Sequence, residues 1–479
     1  MKQNNTLSLE TFGQFPLFSS NIKLPPIAIA IFAFISIVLF YFGIYLQNHY
    51  YILGFICSSI LIYFFIKYPR FWLYTITFSL FIFFRNSGEG VSVLDVISGF
   101  LYVFTLFSWL LWQIAIKRNT LVTNIGDWFI LAFFILLLGN SLIAVMNGVS
   151  FFDWIREYSI MSLVLFYLPI RYYFSEEKYL KRLLILLAVV CILTDLQQFY
   201  DYYQISKINI VYAYQILITR NINQTLFTSA SAFGILFLLS EKKFNRQMIL
   251  MAFTTLNTLA LISSFSRTYW IILIFEILLF FIILPVKQKF KLATYLIIFS
   301  SVITLTVMIA FRGGAFVALQ AIERRLETST KGRKDPSVQS RFAEYKAVLN
   351  KISDYPFSGN GLSNKIRFME PIKNEAKNTT TIHNGYFYLF HRIGIPLSLF
   401  YLFFLIYFTI NSFVVYLKCK VNLYKILSLG SFSSLIVIIV SNFTSTQFCS
   451  RDGVIIIAFS LAFYSISWQK LNKNQIVTT

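Results

Sequence analysis

The chain has 479 residues, 57% hydrophobic and 19% aromatic, with 41 Lys and Arg against 20 Asp and Glu for a formal net charge of +21. Its mean hydropathy is +0.68. Uncharged stretches such as 27–46 and 292–311 exclude a soluble globular protein, because a helix of about 20 residues rises about 30 Å, the thickness of the hydrocarbon layer. Strand-period alternation is absent, which excludes a barrel and leaves helices to satisfy the backbone in lipid.

The first 25 residues are polar and mixed. They lack the basic start, apolar core and small-residue cleavage site of a removable signal peptide, so insertion is expected from the helices themselves. Apolar runs predict spans at 26–46, 50–66, 71–85, 93–116, 127–146, 156–173, 180–200, 222–240, 247–265, 267–285, 292–311, 386–416, 426–446 and 453–468. The expected fold class is all-α: a polytopic helical membrane protein of about 14 transmembrane helices. Helices 1–11 fall in residues 1–311, one large extracytoplasmic loop in 312–382, and helices 12–14 in 383–479. Cys57, Cys191, Cys419 and Cys449 are scattered and match neither a disulfide framework nor a zinc spacing.

With the N-terminus in the cytoplasm, the pairs Lys67/Arg70 and Lys117/Arg118 and the clusters at 242–246, 287–291 and 418–425 all fall on the inner side, as the positive-inside rule requires. Both termini are then cytoplasmic and the large loop lies outside. This topology, with attraction to anionic lipid, accounts for the net charge and gives no argument for nucleic acid. Inner segments carry sixteen Lys to five Arg, whereas the short outer loops carry five Arg to one Lys. Arg grips phosphate with a planar fork, so the outer face reads as built for an anion. Single loop arginines that anchor to headgroups are the competing reading.

Arg156 and Arg220 are two of these outer arginines; a third lies in Ser266-Arg267-Thr268. The segment 247–285 would measure about 60 Å as one helix, so it must fold back, and Ser263 to Thr268 is the polar point for the turn. Ser266 is an expected N-cap there, so free N–H groups, the helix dipole and the Arg267 guanidinium converge. Glu276, about 14 Å deeper along that helix, is read as a structural partner for a neighbouring polar helix, with a place in a proton path as the alternative.

In the large loop, Phe316–Glu327 is an amphipathic helix suited to the membrane surface. Ser337 caps a second helix running to Asp354, whose expected apolar stripe is Val338, Phe342, Tyr345, Val348, Leu349 and Ile352. Arg341 falls within that stripe and is expected to point inward, to an anionic ligand or to a buried carboxylate. Residues 355–361, YPFSGNG, read as a tight glycine-dependent turn. His383 stands at the junction of loop and helix, followed by Asn384 and Gly385. A neutral imidazole there can accept a proton from a sugar hydroxyl or hold it by hydrogen bond; a structural histidine is the alternative. His391 is a packed or supporting residue on the same helix. Asp-x-Asp, P-loop and Rossmann patterns are absent, so no metal, nucleotide or other cofactor is expected.

These pieces resemble the O-antigen ligase and polymerase superfamily. The resemblance rests on Ser266-Arg267 starting a helix, the outer loop with Arg341, then Pro356 and Gly359-Asn360-Gly361, and His383-Asn384 leading to Gly394-Ile395. It covers roughly residues 150–470. It implies a lipid-sugar transferase architecture of the GT-C-like type and an inverting, metal-independent glycosyltransferase. The implied donor is an oligosaccharide on undecaprenyl pyrophosphate; the acceptor is a lipid-linked repeat unit for a polymerase or a lipid A core for a ligase. Membrane lipids and a chain-length regulator are further implied partners, in the bacterial inner membrane with the loop periplasmic. By the same resemblance Arg267 and Arg341 bind the pyrophosphate, His383 positions or deprotonates the acceptor, and Arg156, Arg220, Ser266 and Asn384 assist in binding. Where an acidic residue often precedes the Gly-Ile step, this chain has Arg392. The polymerase is the leading reading, with the ligase and an O-linked protein glycosyltransferase as acceptor variants. A lipid-glycan flippase would also show many spans and intramembrane acids such as Asp195 and Glu276.

Overall fold

Long apolar runs in lipid have few ways to satisfy their backbone groups, and the chain is mostly helical. The computed structural model describes residues 67–82, 100–206, 223–264, 266–310, 336–371 and 374–476. In chain order the helices are α1 (Pro69–Ile82), α2 (Thr105–Leu111, with a π-helical turn at either end), α3 (Ile125–Met146) and α4 (Phe151–Ser162). A 3₁₀ turn, Leu163–Phe166, leads into α5 (Tyr167–Tyr173) and α6 (Glu177–Ser206). Then come α7 (Gln224–Ser240), α8 (Phe244–Ser263), α9 (Arg267–Ile283) and α10 (Val286–Ala310). In the loop region lie α11 (Pro336–Asp354), β1 (Ile366–Glu370) and β2 (Glu375–Thr379). The chain closes with α12 (Gly385–Lys418), α13 (Asn422–Ser441) and α14 (Arg451–Ile476).

Among the described residues five helices are long and apolar enough to cross a membrane: α3, the first 25 residues of α6, α12, α13 and most of α14. The fold-back between 247 and 285 falls where the serines predicted it, with α8 ending at Ser263 and α9 starting at Arg267. The expected spans at 26–46 and 50–66, the helix Phe316–Glu327 and Arg220 lie outside the described residues.

Arg70–Thr479 forms one unit. Its centre is built from small residues, as close helix packing in lipid requires. α7 lies against α8 and α13, and α13 against α12 and α14. Ser428, Ser431, Ser433 and Ser434 of α13 are all buried, and a Cβ at Gly430 would meet the Phe233 ring. Aliphatic clusters fill the remaining space, one around Ile235, Phe280, Leu292 and Leu429 and another around Phe227, Leu261, Ile272 and Val437. Aromatic rings lock α3 to α12, with Phe129 edge-on to Phe400, Phe403 and Tyr407. Polar contacts also join segments expected on the cytoplasmic side. Arg171 holds Asp127 through Nη1 at 2.8 Å, with both side chains almost fully buried, and Lys291 donates to the carbonyls of Leu238, Leu239 and Glu241.

Two features lie beyond the expectations and one expectation is corrected. The loop also holds a hairpin, with β1 and β2 paired antiparallel from Ile366↔Thr379 to Glu370↔Glu375. Gly394, at φ +76°, breaks α12, with Pro396 just beyond. On α11 the inward face is shifted by one position. Glu344, Val348 and Ile352 are buried, while Phe342 and Leu349 are 52% and 46% exposed.

Candidate functional site

The loop region is anchored on the break in α12. A Gly394 with positive φ leaves backbone groups of the interrupted helix to be satisfied from elsewhere, and the 356–361 turn supplies them. Ile395 N–H donates to the Pro356 carbonyl at 2.8 Å, and Asn360 and Gly361 N–H groups donate to the His391 and Arg392 carbonyls at 2.8 and 2.9 Å. A Cβ at Gly394 would strike the Phe357 carbonyl, and one at Gly361 would strike Ala144. The two glycine motifs of the sequence are thus halves of one docking contact. Asn140 of α3 holds it from the other side. Its amide donates to the Arg392 carbonyl at 3.0 Å and its Oδ1 accepts from the Leu362 N–H at 2.9 Å and from Trp154 Nε1 at 3.3 Å.

Arg392 is fully buried. Its guanidinium donates to the carbonyls of Asn364 and Thr380 and lies over the Tyr388 ring, so it ties the loop to α12. Tyr388 in turn donates to Glu157 of α4 at 2.6 Å, and the same carboxylate oxygen accepts the Ser363 N–H at 2.7 Å. His391 is also fully buried, with Nδ1 3.1 Å from the Asn360 amide.

At the start of α12 the arrangement is different. Asn384 is the N-cap, its Oδ1 accepting from the N–H groups of Tyr386 and Phe387 at 3.0 Å and its amide donating to the Phe443 carbonyl at 3.3 Å. Gly385 donates to the Asn442 carbonyl at 2.8 Å, and a Cβ there would overlap the Asn442 side chain. His383, one residue before the cap, meets a carboxylate that the sequence reading missed. Glu344 accepts the His383 N–H at 2.6 Å through Oε1, and its Oε2 lies 2.8 Å from His383 Nδ1. The Glu344 side chain is 3% exposed and that of His383 31%. The available signal was an acid at stripe spacing, three residues after Arg341 and four before Val348.

Arg341 lies one helical turn from Glu344 and is half-buried. Its guanidinium acts on the Tyr345 phenol: burial pushes that group above its ordinary value, and the Arg341 charge opposes the rise. Tyr345 donates to the His383 carbonyl at 3.2 Å and packs its ring edge-on against Phe387. Arg267 is the first residue of α9. Its neighbour Thr268 accepts from Thr444 at 3.2 Å, beside the Phe443 carbonyl that holds Asn384. A continuous line of contacts therefore joins the Arg267 turn to His383, and His383 to the helix of Arg341. Ser266 occupies the N-cap position of α9, but its hydroxyl makes no capping hydrogen bond; instead its N–H meets Ser264 Oγ at 3.4 Å. Arg156 is on α4 beside Glu157, the residue that meets Tyr388 of α12. Glu276 is buried and accepts from Ser433 of α13, the structural partnership expected of it. Among the described residues no three His, Cys, Asp or Glu side chains converge as metal ligands.

Residues 249–402 match the family model Wzy_C, O-Antigen ligase. The match runs from α8 through the break in α12 and contains Ser266, Arg267, Arg341, Glu344, His383 and Asn384, with Arg156 and Arg220 outside it. Among curated proteins no match is found.

Proposed function

With residues 249–402 carrying an O-antigen ligase domain, the chain falls in the O-antigen ligase and polymerase superfamily, and we propose from that premise that it joins lipid-pyrophosphate-linked glycan units as a membrane polymerase. The fold in this reading is GT-C-like with about fourteen spans, set in the bacterial inner membrane with the 312–382 loop outside. The observation that carries it is His383 at the head of α12, in contact continuity with the Arg267 turn and bound to Glu344, which is itself one helical turn from Arg341.

The chemistry is a displacement at a sugar anomeric carbon. The leaving group is a lipid pyrophosphate, and its developing charge needs fixed cations in a site from which water is largely excluded. Arg267 and Arg341 supply them without a metal, Arg156 and Arg220 add more weakly, and His383 handles the acceptor hydroxyl on the opposite face, which inverts the anomeric centre. Ser266 and Asn384, at the N-cap positions of α9 and α12, assist in binding the substrate. The ligase is the second reading, favoured by the description of the matched family; it differs in acceptor, a lipid A core in place of another lipid-linked unit.

Incubating the purified protein with a lipid-linked repeat unit and a chelator separates these. A ladder of products supports the polymerase. Single transfer that appears only when lipid A core is added supports the ligase, and dependence on a divalent metal overturns the mechanism. In cells, Arg341→Ala should leave lipid-linked precursor on the outer leaflet. Accumulation on the inner leaflet would instead indicate a flippase.

A further inference from the structure

Glu344 is a carboxylate almost without solvent, on a helix whose other inward residues are Val348 and Ile352. A buried carboxylate costs several kcal/mol unless donors satisfy it. Here both its oxygens are turned to one residue, Oε1 to the His383 backbone N–H and Oε2 to His383 Nδ1. A backbone N–H can only donate, so Oε1 is an acceptor. An ionised carboxylate is acceptor on both oxygens, and Oε2 is then satisfied only if Nδ1 carries the hydrogen. A neutral imidazole with its hydrogen on Nδ1 has its lone pair on Nε2. Nε2 is then the nitrogen able to accept, on a side chain that is 31% exposed. The same two-point grip fixes the ring's position, because the N–H that binds Oε1 belongs to the backbone of the same residue. The Tyr345 hydroxyl adds a hold on the His383 carbonyl.

We propose that Glu344 is a positioning residue that holds His383 as its Nδ1–H tautomer and turns Nε2 to the acceptor hydroxyl as the base. This rests on the reading of His383 above and deepens it, since it makes the histidine a base rather than a hydrogen-bonding anchor. In the step, the acceptor O–H proton passes to Nε2 as the acceptor oxygen bonds to the anomeric carbon. The bond from that carbon to the pyrophosphate oxygen breaks, and its electron pair leaves on that oxygen. The imidazolium, stabilised by the Glu344 carboxylate, then gives its Nε2 proton to water. Arg341 and Glu344 lie three residues apart on α11, so one rigid helix sets both the cation for the leaving group and the orientation of the base.

The test begins with nitrogen-15 spectra of histidine-labelled full-length protein, recorded on the neutral imidazole. The chain has only three histidines, His49, His383 and His391, so the His383→Ala spectrum assigns the signal. Wild type should show His383 protonated at Nδ1 and bare at Nε2. In Glu344→Gln the amide can donate to Nδ1, so the Nε2–H form should grow. With it kcat should fall by about 10²–10⁴-fold, the order seen when a tautomer-fixing carboxylate is replaced by its amide. KM for the lipid-linked donor should stay within a few-fold, and Glu344→Asp should recover part of both the spectrum and the rate. A wild-type His383 protonated at Nε2 would overturn the proposal irrespective of how any variant folds. So would a Glu344→Gln protein with the Nδ1–H tautomer and full turnover. Full turnover in His383→Ala would overturn the underlying reading of His383, and the proposal with it, whatever the wild-type spectrum shows.

Discussion

His383 and His391 lie eight residues apart, yet they occupy two different kinds of place. His383 precedes the N-cap of α12, keeps 31% of its side chain exposed and faces the buried Glu344 carboxylate. His391 is buried just before the break at Gly394, faces an amide, and has no hydrogen-bond partner for Nε2 among the described residues. The first position offers a ring nitrogen to a ligand; the second is enclosed in the contact that docks the loop on the helix. A histidine beside a polar loop is thus informative through its partner, not through its proximity to the loop.

The largest effect should separate these two residues. His383→Ala is expected to lower transfer per folded molecule by about 10²–10⁴-fold, the span of general acid–base contributions, beside a stability loss of about 1–3 kcal/mol because Glu344 loses a donor. His391→Ala should show a similar stability loss of about 1–3 kcal/mol, but with turnover per folded molecule within a few-fold of wild type. Radiolabelled product on gels and a thermal melt measure both, and similar rate losses in the two variants would erase the distinction. Next comes Arg341→Ala, expected to lower kcat by about 10²–10³-fold, as for loss of one donor to a developing anion. Arg341→Lys should be only partly rescued, because an ammonium lacks the bidentate fork.

Smaller effects belong to the docking contact. Gly394→Ala puts a side chain on a backbone at φ +76° and against the Phe357 carbonyl, a strain of about 1–3 kcal/mol before any clash. Asn140→Ala leaves the Leu362 N–H without its acceptor, at a cost of about 1–3 kcal/mol. Both should open the 355–364 turn to protease before they alter the chemistry. Unchanged cleavage in both variants would show that the turn is held by something else.

Much of this architecture was legible because lipid imposes a length. Runs such as 292–311 and the serine turn before Arg267 read directly as helices and a fold-back. The His383-Asn384-Gly385 junction was legible for its polarity, and its Asn and Gly have local causes, a cap and a close approach to Asn442. The break in α12 was not, because apolar residues continue on both sides of Gly394 and Pro396 and hydropathy is blind to φ. The hairpin was missed because β2, EAKNT, has no apolar alternation, and only Thr379 of it is buried. Asn140 was passed over as one polar residue in an apolar span. Glu344 was hidden for a different reason: an acid on an amphipathic helix ordinarily reads as solvated, and its partner lies 39 positions away.

The finest test concerns the phase of α11, on which the Glu344 assignment depends. Hydropathy groups Phe342 and Leu349 with the inward residues, whereas the fold turns Glu344, Val348 and Ile352 inward and leaves Phe342 half in the open. Val348 is fully buried, so Val348→Ala should cost about 1–3 kcal/mol through lost burial and a residual cavity. Phe342→Ala removes a larger side chain but one that is 52% exposed, and its cost should stay near 0.5 kcal/mol. The ordering runs against side-chain size, so melting temperatures of the two variants in one detergent decide it. A Phe342 variant less stable than the Val348 variant would rotate the helix toward the hydropathy reading and would carry Glu344 away from His383.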